Sequence, residues 1–406
     1  MSDERNPSVA LIVHLARALH RYGAPAHRLE GLVAELSRAL AFEVQSFSTP
    51  TSLFLSFGRP EDQKTTLIRV EPGEVDLAKL IRVEQIHAAL CSGRLAVGKA
   101  LEDLDRIDPA RPIYGAPLIV MAFVVACGAA SLFFGGGWRE MVASAILGAA
   151  IERLAWATAR SPSGATAFQP LAAFLAAFLA AVGSTYFGFS ADVVTLAGLI
   201  VLVPGLSLTI ALQELAARHL SSGTSRLMGA AMQFLALGFG AALGSKLAST
   251  IPGVPSAAVP VTASAVLFWS ALAVAPLSFG LLFRAPPREL PWVLLASLAA
   301  FGGAKLGTHL VGPELGAFFG AFILGIAGNA YSRWLLRPSA VLVVPGLLLL
   351  VPGSLGFRSF AAMLQVDVLQ GVDIAFSVAV IAVSLVSGLL VADVMLGSSR
   401  SRPVRA

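Results

Sequence analysis

The sequence predicts an α-helical polytopic membrane protein that carries a small α+β domain at its N-terminal end. Of the 406 residues, 56% are hydrophobic and 13% are charged, whereas soluble domains are roughly 45–50% apolar. The charges are unevenly distributed: residues 1–115 hold 15 acidic and 14 basic side chains, and residues 116–406 hold 9 and 15. The apolar part also contains the motif Leu-Val-Pro-Gly twice, at 202–205 and 350–353. We therefore expect a soluble domain at 1–115 and two membrane repeats at 116–250 and 251–406.

The N-terminal stretch changes from helical to strand periodicity and back again. Apolar residues at helical spacing predict helices over 8–22 and over 25–41. An alternating pattern of β-branched and aromatic residues over 44–70 predicts three strands. Asp76 is placed to cap a third helix, and a fourth follows at about 95–107. The predicted order of elements is ααβββαα.

Groups that could carry chemistry are sparse in this domain. Thr49, Thr51 and Ser52 surround Pro50 and bring three hydroxyls together, but such residues often bond to local backbone, which favours a structural turn. The histidines have no metal-ligand spacing with either cysteine, so we expect solvated histidines, no metal and no cofactor. No basic patch with interleaved aromatics is present, so no nucleic-acid partner is expected.

Ten apolar segments follow the domain, and most approach the ~20 residues that span a bilayer. They lie at 116–134, 141–158, 168–188, 193–212, 227–248, 260–283, 291–311, 315–332, 339–356 and 372–397. With the N-terminus inside, the inner loops hold Arg153, Arg160, Arg218, Arg226, Arg284, Arg288, Arg333 and Arg337, and the outer loops hold only Arg139 and Arg358. This asymmetry predicts a multi-pass protein with both termini cytoplasmic.

The two Pro-Gly motifs interrupt corresponding segments of the two repeats. Five segments surround each motif, and an odd number makes the second repeat enter from the opposite side, so the repeats are predicted to be inverted. Because proline frees backbone polar groups in hydrocarbon, such breaks indicate a transporter's binding site. The candidate substrate pathway consists of Pro204, Gly205, Gly223, Pro352, Gly353 and Gly371. The alternative, that the motifs only bend helices for packing, stays open.

Ionisable side chains inside apolar segments are costly and are therefore candidates for proton coupling or charge pairing. Inside the apolar segments these are Glu152, Lys246, Lys305 and Asp393, and Glu140 and Glu214 stand near helix ends beside the repeated motifs, where a helix-end interaction is the alternative. Lys246 and Asp393 fall at nearly equivalent places in the two repeats, so they could form an ion pair. The alternative is that both extend to the membrane surface from helix ends.

Enzyme signatures are absent from the sequence. The chain contains no HExxH, no G-x-S-x-G and no Walker phosphate-binding motif. We therefore expect a non-enzymatic protein, and transport would depend on an ion gradient.

Several motifs resemble the threonine/serine exporter family in its fused form, with both membrane modules in one polypeptide. The soluble part resembles the family from Ala16 to Ala24, at Arg28-Leu29-Glu30 and at the 49–52 turn. The membrane part resembles it at 134–138, at 204–227 and at 351–358. The family often has an aspartate near the helix end after the first Pro-Gly, where this chain has Gln213-Glu214.

The resemblance implies a bacterial inner-membrane exporter of threonine and serine, driven by protons, and leaves open whether it forms a homo-oligomer. Two-chain relatives resemble succinate exporters, so export of C4-dicarboxylates is the main alternative. Cationic partners for a dicarboxylate could come from Lys246, Lys305 and Arg153. A further alternative is a membrane-tethered enzyme or sensor that acts through the N-terminal domain.

Overall fold

The N-terminal part is a three-stranded sheet packed against four helices. A computed structural model describes residues 7–59, 61–71, 73, 75–252, 263–351, 353–364 and 368–396. Its first elements are α1 (Pro7–Arg21), α2 (Ala26–Ala39), β1 (Val44–Thr49), β2 (Ser52–Phe57), β3 (Lys64–Arg69), α3 (Leu77–Cys91) and α4 (Val97–Ile107). This is the order ααβββαα.

The sheet is antiparallel in the order β1-β2-β3. Its central strand turns Leu53, Leu55 and Phe57 toward the helices, because alternate side chains of a strand point to the same face. They join one buried core with α1–α4. At the start of α3, the Asp76 carboxylate accepts a hydrogen bond from the Lys79 N–H at 3.0 Å, as expected of a helix cap.

Twelve α-helices follow within the described residues. They are α5 (Ala116–Phe133), α6 (Trp138–Thr158), α7 (Pro162–Phe187), α8 (Ala191–Gly198), α9 (Gly205–Ala216), α10 (Leu220–Ala248), α11 (Ala265–Leu282), α12 (Leu290–Val311), α13 (Pro313–Leu335), α14 (Ala340–Leu350), α15 (Gly353–Leu364) and α16 (Val368–Leu396), with a short 3-10 helix at Pro287–Glu289. Each apolar half therefore contains four long helices and one pair of short ones.

The structure supports a polytopic membrane protein with fewer long spans than the ten segments predicted. In the described part of the chain, eight helices are long and apolar enough to cross a bilayer, and α14 with α15 forms a ninth candidate, bent by 41°. The predicted segment 193–212 is not one helix, because a turn separates α8 from α9. Its pieces of 8 and 12 residues are each shorter than the ~20 residues of a spanning helix.

Packing contacts recur between the two halves at a constant offset. The helix α7 packs along α10, and α13 packs along α16. A Cβ atom on Gly240 would lie 2.2 Å from the Pro170 carbonyl oxygen, and one on Gly388 would lie 2.4 Å from that of Phe318. Gly388 and Phe318 each follow their counterparts by 148 residues, so the two helix pairs make the same close approach. The relation of the halves to the two membrane faces stays a prediction.

Aromatic and arginine side chains mark the two ends of α6. Arg153 and Arg160 lie over the Trp156 ring at 5.3 and 3.5 Å, and Arg139 lies over Trp138 at 5.6 Å. The two tryptophans are 18 positions apart, or about 27 Å along the helix. This spacing is close to the ~30 Å hydrocarbon thickness, at whose borders tryptophan is enriched.

The N-terminal part contacts the same end of several apolar helices. The Leu77 N–H donates to the Phe283 carbonyl at 2.9 Å, and Arg284 pairs with Asp76 at 3.3 Å. Ala340, at the start of α14, packs on the N-terminal core. The connections α11–α12 and α13–α14 therefore lie on the side of the protein that carries the sheet.

Candidate substrate pathway at the paired helix breaks

The first break follows directly from the local sequence. After α8 ends, residues 199–204 form turns, and Pro204 precedes the first residue of α9, Gly205. Proline has no N–H to donate to the preceding turn, and it fits the start of the next helix. In the second half, α14 ends at Leu350 and α15 begins at Gly353. Pro352 lies outside the described residues.

The structure brings the two breaks into direct contact. A Cβ atom on Gly205 would lie 2.4 Å from Val351 Cγ1 and 3.2 Å from Gly353 Cα. A Cβ atom on Gly353 would lie 2.9 Å from Val203 Cγ1. A side chain at either position would force the breaks apart, because such contacts are shorter than packed atoms tolerate. The helices α9 and α15 thus begin side by side, more than 140 residues apart in the chain.

The two later glycines of the predicted pathway lie in helix contacts. A Cβ atom on Gly223 would lie 2.9 Å from the Ala211 carbonyl oxygen, where α10 meets α9. The Gly371 carbonyl accepts a hydrogen bond of 2.6 Å from Ser359, where α16 meets α15. Each glycine therefore holds a broken segment against the long helix that follows it.

A cavity of about 430 Å³ adjoins the breaks. It is bordered by α5, α11, α12 and the α14–α15 break, and Ile200 of the first break also lines it. Most of the lining is apolar and includes Phe134, Phe268 and Phe301. The polar contributions come from Ser354 and Arg358. Arg358 was predicted to lie in an outer loop, but it belongs to α15, because that helix begins directly after the break.

Glu140 is fully engaged by the backbone. Its carboxylate accepts hydrogen bonds of 2.9 Å from the Gly137 N–H, before α6, and from the Ser190 N–H, before α8. A carboxylate is favoured at helix N-termini, where N–H groups have no helical acceptor. Glu289, which follows Glu140 by 149 residues, was not among the predicted site residues. Glu289 is buried and bonds Tyr331 and Arg337.

Glu214 joins the N-terminal part to the apolar helices. It is fully buried at the end of α9. Its carboxylate accepts from the Ala26 N–H at 2.9 Å and from the Ser222 hydroxyl at 2.8 Å. The Arg226 guanidinium donates to it at 3.2 and 3.3 Å. The start of α2 is thus fixed to the α9–α10 connection by a charged group.

A second acidic residue extends this contact. Glu30 lies 3.5 Å from the His219 ring and accepts from the Ser48 N–H at 2.8 Å. Burial is the largest influence on Glu30 and raises the pKa of its carboxyl group above the usual range. The connection between α9 and α10 therefore faces two carboxylates.

The hydroxyls of the 49–52 segment form the β1–β2 turn. Thr49 Oγ1 lies 2.7 Å from Ser52 Oγ and accepts from the Ser52 N–H at 3.1 Å. The Thr49 carbonyl accepts from His20 Nε2 at 2.9 Å. Pro50 lines a small cavity of about 40 Å³ together with Arg226, so this turn faces the apolar helices. Thr51 is exposed beside it.

Two histidines expected to be solvated are buried. His20 and His87 retain 9% and 4% exposure. His87 Nε2 donates to the Leu32 carbonyl at 2.9 Å. Burial is the main influence on both rings and lowers their pKa values, because it disfavours the charged imidazolium.

Lys246 and Asp393 are not brought together. The helix α10 begins at the α9–α10 connection, beside the N-terminal part, and Lys246 lies 26 residues further along, or about 39 Å. Asp393 lies at the opposite end of the protein, because Arg28 of α2 is close enough to sense its charge. Its carboxylate accepts from the Asn329 amide at 2.9 Å. The proposed ion pair is therefore not formed in this structure.

The remaining candidates occupy α6 and α12. Glu152 is partly buried on α6. Lys305 is exposed, and its ammonium lies 6.0 Å from the centre of the Phe268 ring, which lines the cavity. Among the residues described, no group of three or more His, Cys, Asp or Glu side chains could hold a metal ion.

Comparisons with known proteins identify relatives of this chain. Curated relatives include Pheromone-regulated membrane protein 10 of Candida albicans, 28% identical over 361 residues, with 86% of this chain and 33% of the relative covered. An uncharacterized protein of Schizosaccharomyces pombe is 26% identical over 379 residues, with coverages of 90% and 49%. The chain thus spans between a third and a half of these relatives. No solved structure matches.

Two family models match successive parts of the chain. The one described as "Putative threonine/serine exporter" matches residues 10–248, and "Threonine/Serine exporter, ThrE" matches residues 268–395. The first model by itself covers more than half of the sequence, and the second covers the other set of apolar helices. The protein therefore belongs to the threonine/serine exporter family, with both modules fused in one polypeptide.

Proposed function

We propose that this protein is a secondary transporter that exports threonine and serine, driven by inward proton movement. The observation that carries the proposal is the contact between Gly205 and Gly353, where two broken segments meet. Discontinuous helices at a repeat interface place free backbone N–H and carbonyl groups where a polar solute can use them. In a zwitterionic amino acid, the carboxylate would be stabilised by free N–H groups at a helix start, and the ammonium group by free carbonyls at a helix end.

The arrangement around the breaks also suits alternating access. The helix α9 leads from its break to the N-terminal part, and α15 leads from the other break to α16. On our proposal the two sets of helices are inverted repeats in a bacterial inner membrane, with the N-terminal part cytoplasmic. Rocking of one set against the other would expose the site to each side in turn.

Proton coupling is assigned to Asp393. The carboxylates of Glu140 and Glu214 are occupied by two or more donors each, and Glu214 faces a guanidinium. Asp393 is exposed and accepts its hydrogen bond from the neutral amide of Asn329, and Arg28, which is close enough to sense its charge, is itself paired with Glu84. A carboxylate with a neutral partner can take up a proton without leaving a buried positive charge unpaired.

The proposal is tested with protein reconstituted in liposomes that contain labelled threonine. A pH gradient should drive efflux of threonine, and Gly205→Val should abolish it because the valine side chain would collide with Val351. Gly229→Val is the matched control, since a Cβ atom there meets nothing within 4 Å. If wild-type protein shows no gradient-dependent movement of threonine or serine, the proposal is wrong.

Export of a C4-dicarboxylate is the second candidate, and one observation favours it. Arg358 lines the cavity, and Lys305 lies over Phe268 at its border. Two cations near one cavity could bind two carboxylates. In the same liposomes, efflux of labelled succinate without efflux of threonine would establish this candidate instead. Activity retained by residues 1–115 alone would point to an enzyme or sensor.

A further inference from the structure

The cavity beside the breaks is lined by two residues that each stand four positions before one of the prolines. In an α-helix, a carbonyl accepts from the N–H four residues later. Pro204 stands four residues after Ile200, which lies in the turn that follows α8, and Pro352 stands four residues after Leu348, in the last turn of α14. Proline has no N–H, so it can donate to neither carbonyl. Ile200 and Leu348 are 148 positions apart, and both line the same cavity.

Other nearby donors are directed elsewhere. The Val203 N–H donates to Leu199 at 3.1 Å, and the Val351 N–H donates to Leu347 at 2.8 Å. Among the described backbone groups outside regular helices, none donates to the Ile200 carbonyl. A carbonyl without a donor beside a largely apolar cavity favours a ligand that supplies N–H groups.

The positive charge in the cavity has no partner. The side chains of Arg358 and Ser354 form no ion pair or hydrogen bond with any residue that the structure describes. Both lie in the first two turns of α15, on the side that lines the cavity. The Arg358 side chain is exposed and borders the cavity. Charged side chains within membrane proteins are rare, and they usually line a substrate or ion pathway.

The two halves differ at these positions. The residues that precede Ser354 and Arg358 by 148 positions are Leu206 and Ile210, both apolar. Of the two helices that begin at the breaks, α15 and not α9 therefore offers a cation to a solute between them. The charged group of the site therefore lies on the α15 side, although the helices of the two halves make the same close approach.

We propose that this cavity binds an α-amino acid in one orientation. Arg358 and Ser354 hold the α-carboxylate, and the Ile200 and Leu348 carbonyls accept from the ammonium group. The inference rests on the proposed transport function and adds the charged groups of the substrate to it. The volume of about 430 Å³ falls within the ~300–1,000 Å³ of small-molecule sites.

The experiment measures exchange of labelled threonine in liposomes that contain the full chain, with two unlabelled competitors. Threoninol lacks the carboxylate, and 3-hydroxybutyrate lacks the ammonium group. Wild-type protein should prefer threonine over both. Arg358→Gln should raise the half-saturating threonine concentration about 10- to 100-fold, because a charged hydrogen bond is lost. Its affinity for threoninol should stay within about twofold of wild type.

The control Arg288→Gln makes the same change of charge at an exposed site outside the cavity and should leave both affinities unchanged. Arg358→Lys should recover part of the threonine affinity, because it restores the charge without the planar guanidinium. Equal weakening of threonine and threoninol binding by Arg358→Gln would overturn the carboxylate assignment. Wild-type exchange of succinate and 3-hydroxybutyrate, with none of threonine, would overturn the ammonium assignment. If wild-type protein exchanges none of these solutes, the transport function itself is refuted.

Discussion

Replacing Glu214 by alanine is expected to destabilise the contact between the N-terminal part and the apolar helices. The carboxylate is fully buried and accepts from Ala26, Ser222 and Arg226. Breaking a buried ion pair by removing one partner costs about 3–5 kcal/mol, because it leaves the other charge uncompensated. The Arg226 side chain retains 24% exposure, so we expect the lower end, about 3 kcal/mol.

The measurement is equilibrium unfolding of the full chain in detergent micelles, followed by circular dichroism. Glu102→Ala is the matched control, because Glu102 pairs with Arg106 at 3.6 Å while both side chains are about 70% exposed, and such pairs contribute about 0–1 kcal/mol. The double variant Glu214→Ala with Arg226→Ala should recover part of the loss, since it leaves no unpaired charge.

The reasoning would be refuted by either of two results. One is a Glu214→Ala variant no less stable than Glu102→Ala. The other is a double variant whose loss equals the sum of the two single losses, which would mean that the pair does not interact.

Three further predictions follow from the packing, the buried histidines and the separated charges. Gly240→Leu should reduce the free energy of unfolding by about 1–3 kcal/mol, because the side chain would be overpacked against the Pro170 carbonyl. The melting temperature should fall accordingly in this variant, and Gly229→Leu should leave it unchanged. Burial lowers the pKa of the His87 ring in the folded state. The contribution of the neutral ring to folding stability is therefore complete above about pH 6.5 and is lost as the pH falls toward the folded-state pKa. The melting temperature should fall less between pH 7 and 5 in His87→Gln than in wild type. Asp393→Asn should keep threonine exchange but lose its dependence on the pH gradient, and Lys246→Gln should retain both; loss of coupling in both variants would instead indicate that they act as a pair.

Predictions from local sequence patterns were most successful for single elements. The order of the seven N-terminal elements, the Asp76 cap and most long apolar helices depend on periodicity and composition within a few turns, which the chain itself displays. The sequence marked a break at Pro204-Gly205 but not the extent of that break, because the run 193–212 looks continuous in hydropathy. Only backbone geometry separates it into α8 and α9.

Roles of ionisable side chains were the least predictable. Glu140 and Glu214 were singled out as carboxylates near helix ends, but partners of their side chains lie 50 and 188 residues away. The expected pair of Lys246 and Asp393 is separated by the length of a long helix. Arg358 was assigned to a loop because the predicted segment 339–356 ended before it. Pairing depends on where distant helices meet, and spacing along the chain contains little of that information.

The amino-acid sequence by itself determined that this protein is apolar enough to enter a membrane, where its helices are interrupted, and that the interruption occurs twice. Those properties are covalent and local: proline has no N–H, and glycine has no side chain. Only the tertiary structure decided that Gly205 and Gly353 touch, and that Ile200, Leu348 and Arg358 line one cavity. Such contacts depend on the packing of helices more than a hundred residues apart, where close approach of small residues selects the neighbours.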